Sequence, residues 1–171
     1  MKRLTLLRHA KSSWDDPSLD DFNRPLNARG WKAARRMGRE LKHRGMRFDL
    51  VLASTAARVR ETIDGLEEKF EFGAPIRFEP RMYGASAEAL LSLVRGLPES
   101  SHAPLLVGHN PGLEQLLALL ARDDDGALRR RVASNYPTGA LAVVELPAHD
   151  WTKVKPGSGQ IVELILPKEL D

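Results

Sequence analysis

The chain has 171 residues, of which 42% are hydrophobic and 29% charged, a composition typical of a globular domain rather than of a disordered chain. The 26 basic and 23 acidic residues leave a net charge of +3, and since the basic residues are scattered, we expect no nucleic-acid partner. There is no cysteine, which excludes disulfide scaffolds, thiolate zinc sites and cysteine nucleophiles.

Nothing in the sequence predicts contact with a membrane. No apolar run approaches the ~18 residues of a membrane span. The short apolar stretch Leu4–Leu7 is well below the ~7–15 residues that a signal peptide requires. We therefore expect a cytoplasmic protein, and a length within the usual ~100–200 residues of a domain predicts a single domain over residues 1–171.

Apolar patterning and helix-capping residues predict strands that alternate with helices along most of the chain. In chain order these are a strand at Leu4–Leu7, a helix at Ala28–Arg44, a strand at Phe48–Ala53, a helix at Ala56–Phe70 capped by Ser54, a strand at Ile76–Phe78, a helix at Ser86–Arg95, a strand at Leu105–Val107, a helix at Pro111–Ala121, and strands at Ala140–Leu146 and Ile161–Leu166. This alternation predicts an α/β fold, a three-layer sandwich with a largely parallel central sheet and helices on both faces.

One charged segment interrupts the pattern. The acidic run Asp123–Asp125 precedes the basic run Arg129–Arg131. We interpret these runs as a solvated face on which opposite charges compensate, with a partner site as the alternative.

Polar side chains follow three of the predicted strands at the points where those strands end. Arg8 and His9 follow the first strand, Ser54 and Arg58 the second, and His109 the fourth. The carboxyl ends of parallel strands meet at one edge of the sheet, where ligands of such folds bind. Two arginines and two histidines without a carboxylate favour a doubly charged anion. Two histidines beside arginines make a poor metal site, so we expect neither a metal nor another cofactor.

Several motifs in this sequence resemble signatures of one known family. The segments are Leu7–Ala10, Arg24–Gly30, Ser54–Thr62, Val107–Asn110 and Tyr136–Ala140. The first four are similar, in family order, to motifs of the histidine phosphatase superfamily, which has the phosphoglycerate mutase-like fold. The fifth resembles a late motif of its small bacterial branch, the SixA-type phosphohistidine phosphatases. The matches extend from Leu4 to about Ala140, and the resemblance implies the fold of that family.

The resemblance also implies roles for individual residues. His9 matches the nucleophile that becomes phosphorylated, while Arg8, Arg58 and His109 match the residues that bind the phosphoryl oxygens. Neutral imidazole is a good nucleophile at pH 7, and fixed cationic donors stabilise the charge that phosphoryl transfer spreads over three oxygens. We therefore expect His9 to be neutral and His109 to be protonated.

Several other polar residues lie in or near these motifs. Arg24 is predicted to bind phosphate as well, the alternative being a salt bridge that holds the long first loop. Direct contacts of Lys11, Asn110 and Thr138 with phosphate stay open, and Thr138 also suits a tight turn. Asp15 brings a carboxylate toward the rim of the site, where we expect it to point away or to pair with Lys11.

The sequence departs from the family pattern at two positions. Ala10 stands where glycine is frequent, which is tolerable if its φ is negative. Many members carry a glutamate acid after the third strand, and the matching position here falls near Gly84. Glu79 could replace that acid, and the alternative is a surface carboxylate. Without an acid, the leaving group must need little protonation, as in a phosphoramidate.

These features predict a phosphatase that hydrolyses phosphohistidine on a protein through a covalent phospho-His9 intermediate, without metal. The partner is then a phosphorylated protein or a small phosphorylated substrate. One alternative is a small-molecule phosphomonoesterase on the same scaffold. Another is a non-enzymatic module that binds phosphate or nucleic acid through its arginines. A mutase is disfavoured because the acid and the length for a lid are both missing.

Overall fold

The computed structural model describes residues 1–124 and 126–170 of the chain. Their strands and helices are β1 (Lys2–Arg8), α1 (Ala28–His43), β2 (Leu50–Ala53), α2 (Ala57–Glu67), β3 (Ile76–Phe78), α3 (Ala87–Arg95), β4 (Pro104–Gly108), α4 (Gly112–Leu120), α5 (Ala127–Ser134), β5 (Leu141–Leu146) and β6 (Gln160–Ile165). Short 3-10 turns lie at Asp21–Asn23, Pro80–Met82, Trp151–Lys153 and Pro167–Glu169.

The six strands form one sheet in the order β3-β2-β4-β1-β5-β6. The pairs β2–β3, β2–β4 and β1–β4 are parallel, whereas β5 pairs antiparallel with β1 and with β6. The predicted α/β sandwich with a largely parallel sheet is confirmed. Since all the strands belong to one sheet, we propose that the chain folds as one domain.

Both faces of the sheet are covered, because the strands alternate their apolar side chains between two cores. Leu4, Leu6 and Leu106 pack against α3, α4 and α5 on one face. Leu7, Leu105 and their neighbours pack against α1 and α2 on the other face. The carboxyl ends of β1, β2 and β4 therefore emerge between two helical layers, at the edge where the sequence analysis places the site.

Local details differ from the sequence-based expectation at helix α2 and in the charged segment. The N-cap of α2 is Ala56 without a side-chain cap bond, and the Ser54 hydroxyl is used elsewhere. The arginines Arg129 and Arg131 lie on α5, a helix that was not predicted, and pair with Asp123 and Glu169 at 3.5 and 3.0 Å. Asp125 lies outside the described residues.

None of the helices within residues 1–124 and 126–170 combines the length and the apolar character needed to cross a bilayer.

Candidate active site

The register of β1 and β4 brings the two predicted site histidines together. Arg8 is aligned with Gly108, so His9 and His109 follow directly after paired strand ends. Their ring centroids are 5.3 Å apart. On the far side of β4, strand β2 leads into α2, whose first turn brings Arg58 to His9.

His9 is buried and held in one orientation by the carbonyl group of the next residue. Its Nδ1 lies 2.7 Å from the carbonyl oxygen of Ala10, so Nδ1–H donates there and Nε2 is left unprotonated. The Ala10 N–H donates to Thr62 Oγ1 at 3.0 Å, which ties Ala10 to α2. Burial, with the charge of Arg58, lowers the pKa of His9 to about 3. The imidazole is therefore neutral at pH 7, as predicted for a nucleophile, and Ala10 has the negative φ that the sequence requires.

The Arg58 guanidinium joins His9 to the long first loop. Its Nε donates to His9 Nε2 at 3.3 Å, and its two terminal nitrogens donate to the backbone oxygen and Oδ2 of Asp21 at 2.7 and 3.0 Å. Tyr83 also donates to Asp21 Oδ2, at 2.5 Å. Hydrogen bonds from Tyr83, Arg24 and Arg58 lower the pKa of Asp21 far below its ordinary value, so this carboxylate is ionised at pH 7.

His109 is oriented by the serine that ends β2. Ser54 Oγ accepts the Ala56 N–H at 3.3 Å and lies 2.8 Å from His109 Nε2. If the Ser54 hydroxyl donates to Nε2, the neutral ring carries its own proton on Nδ1. Nδ1 is buried and has no hydrogen-bond partner among the described residues. Burial and Arg58 lower the pKa of His109 to about 4, so the protein's own groups favour a neutral ring rather than the expected protonated one.

Arg8 is held by the segment that precedes β5. Its Nη1 donates to the backbone oxygen of Tyr136 at 3.1 Å, and Asn110 Nδ2 donates to the same oxygen at 3.0 Å. Arg8 Nε is buried and unpaired among the described residues. Buried unpaired donors are rare in folded proteins and costly unless a ligand satisfies them. Arg8 Nε and His109 Nδ1 are therefore candidate donors to a phosphoryl group.

Arg24 is engaged by the loop in which it lies. Its guanidinium donates to Asp21 Oδ1 at 3.0 and 3.2 Å and to Ser12 Oγ at 2.7 Å. It stacks on the exposed Trp14 ring, 3.6 Å from the ring centroid. These contacts match the alternative role, a salt bridge that holds the first loop, and phosphate binding by Arg24 stays a prediction.

Three further candidates lie around the rim. Lys11 and Asp15 are exposed, and no ion pair joins them within 4 Å among the described residues. Thr138 lies in the turn Pro137–Ala140, which the Ala140 N–H closes on the Pro137 oxygen at 3.0 Å. Gly139 adopts a φ of +77° in this turn, and its N–H donates to the backbone oxygens of Arg8 and His9. The turn thus lies against the end of β1.

The Glu79 side chain forms its hydrogen bonds within the turn that follows β3, and among the described residues none of them is to His9 or His109. Its carboxylate accepts from the Arg81 backbone and pairs with Arg81 Nε at 2.8 Å. This contact lowers the pKa of Glu79. The segment near Gly84 instead contributes Tyr83, whose ring lies edge-on to His109 with centroids 5.4 Å apart. The Glu79 carboxylate is thus ionised at pH 7 and bound to Arg81.

Sequence reasoning missed Asp21 and Tyr83. They lie 62 positions apart on different loops, and neither stands at a strand end. Tyr83 could have been found by its closeness to the position expected for the family acid. No comparable signal marks Asp21 among the acidic residues of the first loop.

Among residues 1–124 and 126–170, no group of three or more histidine, aspartate or glutamate side chains has an arrangement suited to a metal ion. Independence of metal stays a prediction.

Comparisons with known proteins agree with this geometry. A model of the histidine phosphatase superfamily (branch 1) matches residues 4–89. An uncharacterised protein of Mycobacterium tuberculosis is 32% identical over 166 residues, which cover 95% of this chain and 100% of that protein.

Two solved structures share the fold over nearly the full length. The protein assigned as phosphohistidine phosphatase SixA of Agrobacterium tumefaciens is 33% identical, with a TM-score of 0.80 and coverage of 97% of this chain and 98% of that one. Its counterpart from Nakamurella multipartitia is 25% identical, with a TM-score of 0.84 and coverage of 97% and 96%. The matched motifs, the fold and these relatives together show that the chain belongs to the histidine phosphatase superfamily and is a phosphatase of the SixA type.

Proposed function

We propose that this phosphatase hydrolyses phosphohistidine on a protein substrate through a phospho-His9 intermediate, without metal. The observation that carries the proposal is the orientation of His9. Its Nδ1–H is committed to the Ala10 oxygen, and its unprotonated Nε2 lies 3.3 Å from Arg58 Nε. A neutral nucleophile thus stands beside a cationic donor.

In the first step, His9 Nε2 attacks the phosphorus and forms a new P–N bond. The P–N bond of the substrate breaks, its electron pair stays on the leaving imidazole nitrogen, and that nitrogen takes a proton from solvent. In the second step, water attacks phospho-His9, which releases inorganic phosphate and restores the His9 lone pair. The proton of the attacking water passes to solvent.

The proposed donors to the phosphoryl oxygens come from three strand ends. They are Arg58, Arg8 Nε and His109 Nδ1, the last two being buried without partners among the described residues. Such fixed donors stabilise a developing anion most where water is excluded. A bound dianion also favours the cationic form of a nearby histidine. The protein's own groups lower the pKa of His109 to about 4. The negative charge of the bound phosphoryl group would raise this pKa, so that the ring takes up a proton when substrate binds.

The proposed substrate class follows from the carboxylates near the site. Asp21 is ionised and holds Arg58, and Glu79 is paired with Arg81, so neither holds a proton to give a leaving alkoxide at pH 7. A phosphoramidate needs less assistance than an alkyl phosphate. The two relatives assigned as phosphohistidine phosphatases support the same substrate class.

A substrate panel with a trapping experiment tests the proposal. A phosphohistidine peptide, a phosphoserine peptide and a sugar phosphate are incubated with the enzyme in EDTA, and the enzyme is quenched for mass spectrometry. We expect rapid turnover of phosphohistidine and an acid-labile, base-stable phosphate on His9. His9→Ala should abolish both, whereas His43→Ala, an exposed histidine on α1, serves as the control. Normal single turnover by His9→Ala would disprove the nucleophile. Equal turnover of the sugar phosphate would establish a small-molecule phosphomonoesterase instead.

A further inference from the structure

A groove that begins at Lys11, two residues after His9, is lined by five basic side chains. It has a volume of about 440 Å³. Its cations are Lys11, Arg29, Lys32, Arg36 and Lys168, and no aspartate or glutamate occurs among the lining residues that the structure describes. Since the whole chain carries only +3, this groove has more positive charge than the net charge of the molecule.

Several arginines elsewhere on the surface are neutralised by carboxylates. Arg35 on α1 pairs with Glu68 at 3.0 Å, and Arg44, the residue after α1, pairs with Glu40 at 2.8 Å. None of the five cations that line the groove forms a salt bridge within 4 Å among residues 1–124 and 126–170. Clustered like charges oppose folding through mutual repulsion. An anionic partner would relieve this repulsion.

The groove is built from rigid elements. Arg29, Lys32 and Arg36 follow the spacing of one face of α1, and seven residues of helix extend about 10 Å. The opposite wall comes from the turn Pro137–Ala140 and from Pro167 and Lys168. The backbone positions from which these charges project are therefore set before any partner binds.

The groove adjoins the site through shared backbone. Lys11 lies two residues after His9, and the Gly139 N–H donates to the backbone oxygens of Arg8 and His9 at 3.0 and 2.9 Å. Tyr136, just before the turn, holds Arg8 through its backbone oxygen. A protein whose phosphohistidine reaches His9 therefore places its neighbouring surface over these cations.

We infer that this groove binds acidic side chains of the phosphorylated protein substrate. The inference rests on the proposed function and specifies its substrate class as proteins with carboxylates near the phosphohistidine. The cations are spread over a helix, a loop and the C-terminal segment, which suits several separate carboxylates better than one compact phosphate. Among the described residues that line the groove none is aromatic, so these residues offer no stacking surface of the kind with which proteins bind single-stranded nucleic acid.

Two phosphohistidine peptides test the inference. In one, glutamates flank the phosphohistidine on both sides at three to six residues' distance, and in the other glutamines replace them. We expect the wild-type enzyme to prefer the glutamate peptide about tenfold or more in kcat/KM at low salt, and this preference to shrink at high salt. Lys32→Glu/Arg36→Glu should abolish or invert the preference while turnover of the glutamine peptide changes less than about twofold.

A matched control separates the groove from net charge. Lys153→Glu/Lys155→Glu changes the charge equally at exposed positions in the β5–β6 connection, near the end of the sheet opposite His9. It should keep the preference for glutamate. Equal preference for both peptides in the wild type, or the same loss in both double variants, would overturn the inference. So would a single-stranded oligonucleotide of equal charge that competes as well as the glutamate peptide. If neither peptide is cleaved, the proposed function itself fails.

Discussion

At the scale of single residues, the Arg58 guanidinium is divided between His9, the proposed nucleophile, and Asp21 of the first loop. Nε contacts His9, while both terminal nitrogens contact Asp21. A phosphoryl group at His9 Nε2 must therefore share Arg58 with Asp21. Arg58→Ala should cost ~2–4 kcal/mol of transition-state stabilisation, the usual effect of removing one preorganised donor. Single-turnover rates with a phosphohistidine peptide measure this loss.

The substitution Arg58→Lys tests whether the two-pronged geometry of the guanidinium is needed for activity. Arg58→Lys should restore only part of the rate, because one ammonium cannot contact His9 and both Asp21 oxygens. Arg60→Ala, an exposed arginine on the same helix, is the control and should stay within twofold of wild type. Full activity of Arg58→Lys would show that the two-pronged contact is unimportant.

The neutral state of His9 and His109 leads to a prediction about how the stability of the protein depends on pH. Because the pKa of His9 is lowered to about 3 and that of His109 to about 4, both rings should remain neutral at pH 5. An unfolded histidine has a pKa near ~6.5, so the unfolded state binds protons that the folded state does not. The free energy of unfolding should therefore fall as pH is lowered from about 6.5 toward 4.

Nitrogen NMR at pH 5 measures this state directly. The His9 ring should show the neutral tautomer with the proton on Nδ1. Replacing both histidines by glutamine should flatten the dependence of unfolding free energy on pH between 4 and 6.5. A His9 ring that titrates near 6.5 in the folded protein would contradict the buried, neutral nucleophile.

At the scale of elements, the start of α1 is pressed against the loop that follows His9. The Asn27 side chain caps the helix by accepting the Gly30 N–H at 2.8 Å, and a Cβ at Gly30 would overlap the backbone oxygen of Lys11. Gly30→Ala must therefore shift either α1 or the Lys11 backbone. We expect a loss of ~1–3 kcal/mol in unfolding free energy. We also expect a lower kcat for the folded enzyme, because Lys11 lies two residues from His9.

Gly38→Ala on the same helix is the matched control. A Cβ at Gly38 would approach the backbone oxygen of Leu66 at 2.6 Å, in the contact between α1 and α2. It should lower stability to a similar degree and leave kcat of the folded enzyme unchanged. Urea unfolding and active-site-titrated kinetics measure both quantities. An unchanged kcat in Gly30→Ala would show that the loop absorbs the methyl group without moving His9.

The elements that sequence could predict are those whose signal is local. The apolar runs of β1 and β4, the capping serine of α3 and the buried face of α1 all carry such signals. Helix α5 was missed because one residue of its eight, Val132, is buried and its charges obscure the periodicity. In the site, His9, Arg58 and His109 follow from strand ends, whereas the Asp21–Tyr83 contact depends on how two loops meet in space.

At the scale of the whole molecule, the charge distribution follows the chemistry. The cations of the site and groove lie near the carboxyl end of β1, at the start of α2 and on the adjoining face of α1, whereas several arginines on other surfaces, such as Arg3, Arg35 and Arg131, pair with carboxylates. This polarity attracts dianionic and acidic ligands to one edge of the sheet. Asp21 and Glu79, the two carboxylates considered as acids, are bound to arginines, and the hydrogen bonds that they accept lower the pKa of each.

The lowered pKa values of these two carboxylates predict how the rate depends on the leaving group. An enzyme with a general acid gains ~10²–10⁴-fold by protonating the leaving atom and so depends weakly on its basicity. Here Asp21 is ionised, Glu79 is paired with Arg81, and the Tyr83 hydroxyl is donated to Asp21, which raises the pKa of Tyr83. Single-turnover rates should therefore fall steeply from aryl to alkyl phosphates as the leaving-group pKa rises. Glu79→Gln and Tyr83→Phe should leave that slope unchanged. A flat dependence that either substitution makes steep would identify the substituted residue as a general acid and would favour a phosphomonoesterase of small alcohols.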